Sequence, residues 1–199
     1  MILGLTGSIG SGKTTVARML QEWGGAVVID ADAIAYELQA PGGSAYNEIL
    51  KAFGPDIVDG EGKIDRATLG AMVFSDPEKR KLLNSIVHPL VRTEELRLLD
   101  KYRSEPLVVF MVPLLYENGL ESLVDRVLVV TVGDDARRQR LWERSQMPPE
   151  EISRRLAAQM PQEEKARRAD FVINNGGTRD ETEAQVKSLL ASLRKSQAH

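Results

Sequence analysis

Ile2-Leu3-Gly4-Leu5-Thr6-Gly7-Ser8-Ile9-Gly10-Ser11-Gly12-Lys13-Thr14-Thr15 is the stretch on which the fold turns. Its first five residues are a short apolar run of strand type, and Gly7 to Thr14 match G-x-x-x-x-G-K-[ST]. Beyond the motif, Val16, Met19, Leu20 and Trp23 recur at i, i+3, i+4 and i+7, one face of a helix that Gly24-Gly25 closes. Strand, glycine-rich turn and amphipathic helix, in that order, give this spacing a mechanism. The glycines let the backbone wrap closely, so the amides of Gly10, Ser11, Gly12, Lys13, Thr14 and Thr15 converge on phosphate oxygens at the positive end of the helix. Lys13 adds a point charge toward the β- and γ-phosphates, and Thr14 offers a hydroxyl to a Mg²⁺ ion that bridges them. A ligand-free glycine turn is the competing reading, and it leaves the agreement of every fixed position with the flanking elements unexplained. The expectation is a nucleoside triphosphate site.

Four further apolar stretches read as strands: 26 to 30, 107 to 112, 126 to 132 and 170 to 174. Most are continuous Val, Ile, Leu or Phe runs rather than alternations, the pattern of strands covered on both faces in a parallel sheet. Helical patterns separate them, and the last, about 179 to 195, offers Val186, Leu189, Leu190 and Leu193 to a core. Strands alternating with helices predict an α/β doubly wound sheet. The interval between the second and third strands, about 75 residues, is far longer than one crossover helix needs. Helical patterns near 31 to 39, 44 to 53, 66 to 74 and 77 to 102 fill it, punctuated by Pro41-Gly42-Gly43, Gly54-Pro55 and Asp59-Gly60-Glu61-Gly62. A second departure begins at 134, helical and broken at Pro148-Pro149 and Pro161. The predicted division is a core of 1–30, 103–136 and 169–199, a helical insertion at 31–102 and an arginine-rich segment at 137–168.

Composition removes several classes of function. The 199 residues suffice for one domain with a buried core. With no cysteine there is no disulfide framework, thiolate zinc site or cysteine nucleophile, and His88 and His199 are the only histidines. A net charge of -3 argues against a dedicated nucleic-acid binder. The total hides an asymmetry, because 137–168 carries nine Lys/Arg against five Glu and is locally +4 while the rest is -7. The longest apolar run, Leu107 to Tyr116, is interrupted by Pro113 and falls well short of the roughly 20 residues that span a bilayer. With no signal-like segment before the first motif, the expectation is a cytoplasmic protein without a membrane partner.

Asp30-Ala31-Asp32 closes the second strand, and in a parallel sheet the carboxyl ends of the strands face the ligand crevice. If the strand continues through Asp32, both carboxylates point to one side. One would orient Mg²⁺ and the other accept a proton from an acceptor hydroxyl. Capping of the following helix is the alternative, and it needs only one of them. Arg137, Arg140 and Arg144 fall on one helix face. Three readings stay open for this stripe: a lid closing on the triphosphate, a solvated face, or a nucleic-acid patch. His88 before Pro89 reads as a turn or core histidine or as an acceptor-side residue, and Glu117 as a helix cap or as part of an acceptor pocket.

Taken together, Leu3 to Ala17, Asp30-Ala31-Asp32, His88-Pro89-Leu90-Val91, Pro113-Leu114-Leu115-Tyr116-Glu117 and Ala169 to Gly176 resemble the dephospho-CoA kinase family, over nearly the whole chain. The resemblance implies a P-loop nucleotide-kinase-like α/β fold of three layers: a five-stranded parallel sheet, a helical acceptor-binding insertion and a helical lid. It implies transfer of the γ-phosphoryl of ATP to the ribose 3′-hydroxyl of dephospho-coenzyme A, the last step in making coenzyme A. Carried over by residue, Gly10 to Thr15 would hold the ATP phosphates, Asp32 would be the general base, and Asp30 with Thr14 would serve Mg²⁺. Arg137 and Arg140 would contact phosphate from the lid, Asn175-Gly176 would lie near the adenine, and His88 and Glu117 would lie on the acceptor side. Where many relatives carry an acidic residue at the end of the third strand, this chain has Phe110-Met111-Val112, so the metal would rest on Thr14 and Asp30. Rival readings are another small-molecule kinase, of shikimate or nucleoside-monophosphate type, and a P-loop NTPase acting as a binding module. The long insertion favours a large acceptor, and the acidic net charge speaks against the binding module.

Overall fold

The strand that precedes the glycine turn lies at the centre of the sheet. In the computed structural model, which describes residues 1–146 and 148–197, β1 (Ile2–Thr6) is flanked by β3 (Val108–Met111) and β4 (Arg126–Thr131). With β2 (Val27–Asp30) and β5 (Phe171–Asn174) they form a five-stranded parallel sheet of order β2-β3-β1-β4-β5. His199 lies outside the described residues. The whole of β1 and β3 is buried, which is why their sequences do not alternate. Leu3, Leu5, Val109, Met111, Leu128, Val130 and Ile173 lie in one core cluster with Val16, Met19 and Leu20 of α1 (Lys13–Gly24) and Val186, Leu189, Leu190 and Leu193 of α9 (Arg179–Gln197). At Gly4 an added Cβ would come within 2.9 Å of Leu115 and 3.0 Å of Val124, so the segment after β3 packs tightly over that strand. The expected strands and the three-layer α/β fold are therefore present, each strand within a residue or two of its predicted bounds.

The chain divides into two units, Met1–Ile29 with Lys101–His199, and Asp30–Asp100. The second is helical: α2 (Ala31–Leu38), α3 (Tyr46–Phe53), α4 (Arg66–Ser75) and α5 (Pro77–Lys101). Ala45, Ile49, Ile57, Ile64, Leu69 and Val87 form its own core. Aspartates start three of these four helices, α2, α4 and α5: Asp30 accepts the amides of Asp32 (2.9 Å) and Ala33 (3.4 Å), Asp65 those of Ala67 and Thr68, and Asp76 those of Glu78 and Lys79. This corrects one expectation. The strand does not run on through Asp32: it stops at Asp30, whose carboxylate caps α2, and Asp32 sits exposed in the first helical turn. The period-2 argument for paired carboxylates therefore fails, because a side-chain cap turned the backbone into a helix two residues early.

The arginine-rich segment is three helices, α6 (Asp134–Ser145), α7 (Pro149–Ala157) and α8 (Gln162–Arg168), broken at the expected prolines, and it groups with the sheet. α6 ends on Gln146, in the left-handed region at φ 51°, with its N–H bonded to Trp142 O at 2.8 Å.

Candidate active site

Glycine conformations shape the loop between β1 and α1. Gly10 and Gly12 have φ of 80° and 90°, a region that side chains rarely adopt, and Gly12 is the residue from which α1 starts. No side chain caps α1 and its first turn holds no acid, so its amide end is left to a ligand. Thr14 and Thr15 are exposed there. The Lys13 ammonium folds back over the loop, donating to Gly7 O at 2.8 Å and Ser8 O at 3.3 Å.

Other elements grip this loop. An added Cβ on Gly10 would meet Arg137 Cγ and Leu141 Cγ at 3.1 Å, so α6 packs directly on it. Arg137 is 7% exposed and pairs with Asp134, and its Nε is buried with no hydrogen-bond partner. Buried donors are normally satisfied, so an anion beside Gly10 would complete Arg137. Asn175, at the end of β5 and buried, donates from Nδ2 to Ser11 O (2.8 Å) and accepts from Thr182 Oγ1 (3.1 Å). Arg140 Nη2 donates to Asn175 O at 2.8 Å. Gly176 is exposed, and its N–H is held by Asn174 Oδ1 at 2.8 Å.

Two cavities adjoin the loop. One of about 340 Å³, at the helix end, is lined by Gly12, Thr15, Met19, Arg140, Asn175 and Arg179. The other, of about 320 Å³, is lined by Ser8, Asp134, Arg137, Leu156, Gln159 and Met160. Gly10, Ser11, Gly12, Lys13, Thr14, Thr15, Arg137, Arg140 and Asn175 are thus gathered around one loop.

Four further expected residues lie on other elements. Asp30, Asp32 and His88 belong to the helical unit, where His88 is exposed on α5 rather than held in a turn or core. Helix α5 continues past Pro89, which lies inside it. Glu117, expected at the acceptor or as a helix cap, caps no helix among the described residues. Its Oε1 takes the Lys165 ammonium at 2.8 Å and the Met160 N–H at 2.8 Å, fastening α8 beneath the segment that follows β3. Burial would raise the Glu117 carboxyl, but hydrogen bonds from Lys165 and from the Met160 amide override it and hold it below the usual carboxylate range. Lys165 is fully buried and also donates to Pro113 O at 3.1 Å. Sequence reasoning passed over Lys165, Gln159 and Gln162, which have no motif and take their roles from contacts distant in the chain.

As to Mg²⁺, no group of three or more His, Asp or Glu side chains among the described residues is arranged to hold a metal. The exposed Thr14 hydroxyl at the start of α1 suits an ion that keeps several waters and takes its remaining ligands from phosphates.

A family model described as dephospho-CoA kinase matches residues 1–181. A dephospho-CoA kinase of Symbiobacterium thermophilum is 52% identical over 189 residues, covering 94% of this chain and 79% of that protein. Among solved structures, TT1252 from Thermus thermophilus matches with a TM-score of 0.80 at 40% identity, covering 97% of each chain. A dephospho-CoA kinase from Campylobacter jejuni matches at 0.74 and 28%, covering 98% of each. A shikimate kinase from Bacteroides thetaiotaomicron shares the fold alone, at 0.52 and 17% over 98% of each chain.

Proposed function

The chain belongs to the dephospho-CoA kinase family, and on that premise we propose how its residues divide the work of the reaction. The enzyme phosphorylates dephospho-coenzyme A with ATP in coenzyme A biosynthesis. Phosphoryl transfer needs three things from the protein: a cradle for the triphosphate, positive charge where negative charge accumulates, and a group to take the proton from the attacking hydroxyl.

Gly10 to Thr15 are the cradle. The amides at the uncapped start of α1 bind phosphate oxygens, and the Lys13 ammonium turns from the Gly7 and Ser8 carbonyls to the β- and γ-phosphates. Arg137, buried against Gly10 with an unpartnered Nε, and Arg140, held at Asn175, supply lid charge to the transferring group. The nucleoside of ATP extends into the cavity bounded by Gly12, Thr15, Asn175 and Arg179, the adenine lying near Asn175 and the Gly176 that follows it. Thr14 would hold Mg²⁺ and Asp30 would support it through water; when bound, the ion neutralises developing phosphate charge. Asp30 does so from a carboxylate that also caps α2. Asp32, exposed in the first turn of α2, accepts the proton of the ribose 3′-hydroxyl as general base. The helical unit receives dephospho-coenzyme A, His88 lining its approach, and the reaction is placed in the cytoplasm, where ATP is supplied.

One observation carries this reading: an uncapped helix start, a left-handed Gly12 and the buried, incompletely bonded Arg137 converge on one loop. The test is ADP formation by the purified protein with dephospho-coenzyme A, AMP or shikimate as acceptor. Turnover confined to dephospho-coenzyme A is expected. ADP formation indifferent to it, with no coenzyme A produced, would overturn the reading.

A further inference from the structure

Gln159 follows α7 and is half-buried, and its Oε1 accepts the Ile9 N–H at 3.0 Å. Ile9 belongs to the phosphate loop itself. The Lys13 ammonium lies on the two carbonyls just before it, Gly7 O and Ser8 O, so Gln159 meets the loop at the end where Lys13 serves the β- and γ-phosphates. Gln159 also lines the cavity that Ser8 and Arg137 share.

The contact is not that of a loosely placed surface side chain, because the residues after it are fastened. Met160 N–H donates to Glu117, and the Gln162 carboxamide bonds both the N–H and the C=O of Val132 at 3.0 Å. Lys165, fully buried, anchors the next turn to Glu117 and Pro113 O. Three bonded points within seven residues fix where the Gln159 backbone can be, and hence what its side chain reaches.

We infer that Gln159 is a positioning residue for phosphoryl transfer: bonded to the Ile9 amide and braced by Glu117, Gln162 and Lys165, it sets the γ-phosphate end of the loop. The inference rests on the reading that this loop holds ATP. An uncharged acceptor suits the place, since it holds the amide without repelling a phosphate, whereas a carboxylate would keep the hydrogen bond and add charge beside the third phosphate.

The test compares Gln159→Glu and Gln159→Ala with the parent enzyme in calorimetric binding of ATP and of ADP, in kcat and KM with dephospho-coenzyme A, and in melting. Gln159→Glu is expected to weaken ATP at least about tenfold while ADP changes less than about threefold, because the added charge faces the γ-phosphate. Gln159→Ala is expected to lower kcat about tenfold, with KM for the acceptor within about twofold. Melting should move little, since one half-buried hydrogen bond is lost. A merely structural glutamine would shift melting and leave the ATP-to-ADP ratio alone. Equal weakening of the two nucleotides by Gln159→Glu, or a kcat for Gln159→Ala within about twofold of the parent, would overturn the inference. A parent enzyme that binds neither nucleotide would overturn the ATP reading and the inference together.

Discussion

Asp30 and Asp32 differ by one intervening alanine and by everything else. Asp30 ends β2 and holds the first amides of α2, while Asp32 is left exposed one step into the helix. If Asp32 takes the acceptor's proton, Asp32→Asn should lower kcat by about 100-fold or more, with ATP affinity largely kept. Steady-state kinetics beside nucleotide binding check this, and a near-parental kcat would remove Asp32 from the role. Gly12 admits no such tuning. Its φ is 90° and a Cβ there would land on the Asn175 carboxamide nitrogen, so Gly12→Ala should abolish measurable ATP binding while much of the protein still folds. Calorimetry with ATP alongside circular dichroism would decide it. The glycine was legible from the chain because motif spacing reports backbone conformation. The fate of the aspartate pair was not, because capping and strand extension compete for the same residue.

Helix α8 has a polar sequence, Gln162-Glu163-Glu164-Lys165-Ala166-Arg167-Arg168, yet it places one lysine in the interior. Breaking a buried pair leaves an uncompensated charge, so Lys165→Met should cost about 3–5 kcal/mol, and Lys165→Met combined with Glu117→Leu should recover much of that. Denaturant unfolding of the two variants tests the pair. Helix α5 carries a buried charge with the opposite tendency. Burial lifts the Glu95 carboxyl above its usual range, and the Arg92 guanidinium 3.1 Å away offsets only part of it. A carboxyl raised on folding binds its proton more tightly in the folded state, so stability falls as pH rises through the interval between its unfolded and folded values. Glu95→Gln should therefore melt higher than the parent near neutral pH, and the difference should close as the solution is acidified below the ordinary carboxylate range. Thermal melts across pH would check both sign and window. Neither feature could be read from the helices' own sequences, where both residues look like solvated charges at i, i+3 spacing.

Across the molecule, a charge of -3 conceals a +4 segment, two of whose arginines meet the phosphate loop and its neighbour, Arg137 packed on Gly10 and Arg140 tied to Asn175. With so few protein ligands for a metal, turnover should stop when EDTA removes Mg²⁺ and return when it is restored, while circular dichroism stays unchanged. A chelated enzyme at full rate would remove the ion from the chemistry. The order of elements, the parallel sheet, the phosphate loop and the three-helix arginine segment were all available in the amino-acid sequence. Each depends on short-range rules: apolar period, glycine and proline punctuation, and a motif that describes local backbone. The termination of β2 at Asp30, the pairing of Glu117 with Lys165 and the bond from Gln159 to Ile9 were settled only when the chain folded. Each joins residues through burial or competing hydrogen bonds, Glu117 to Lys165 across 48 positions and Ile9 to Gln159 across 150, and no local pattern encodes which partner prevails.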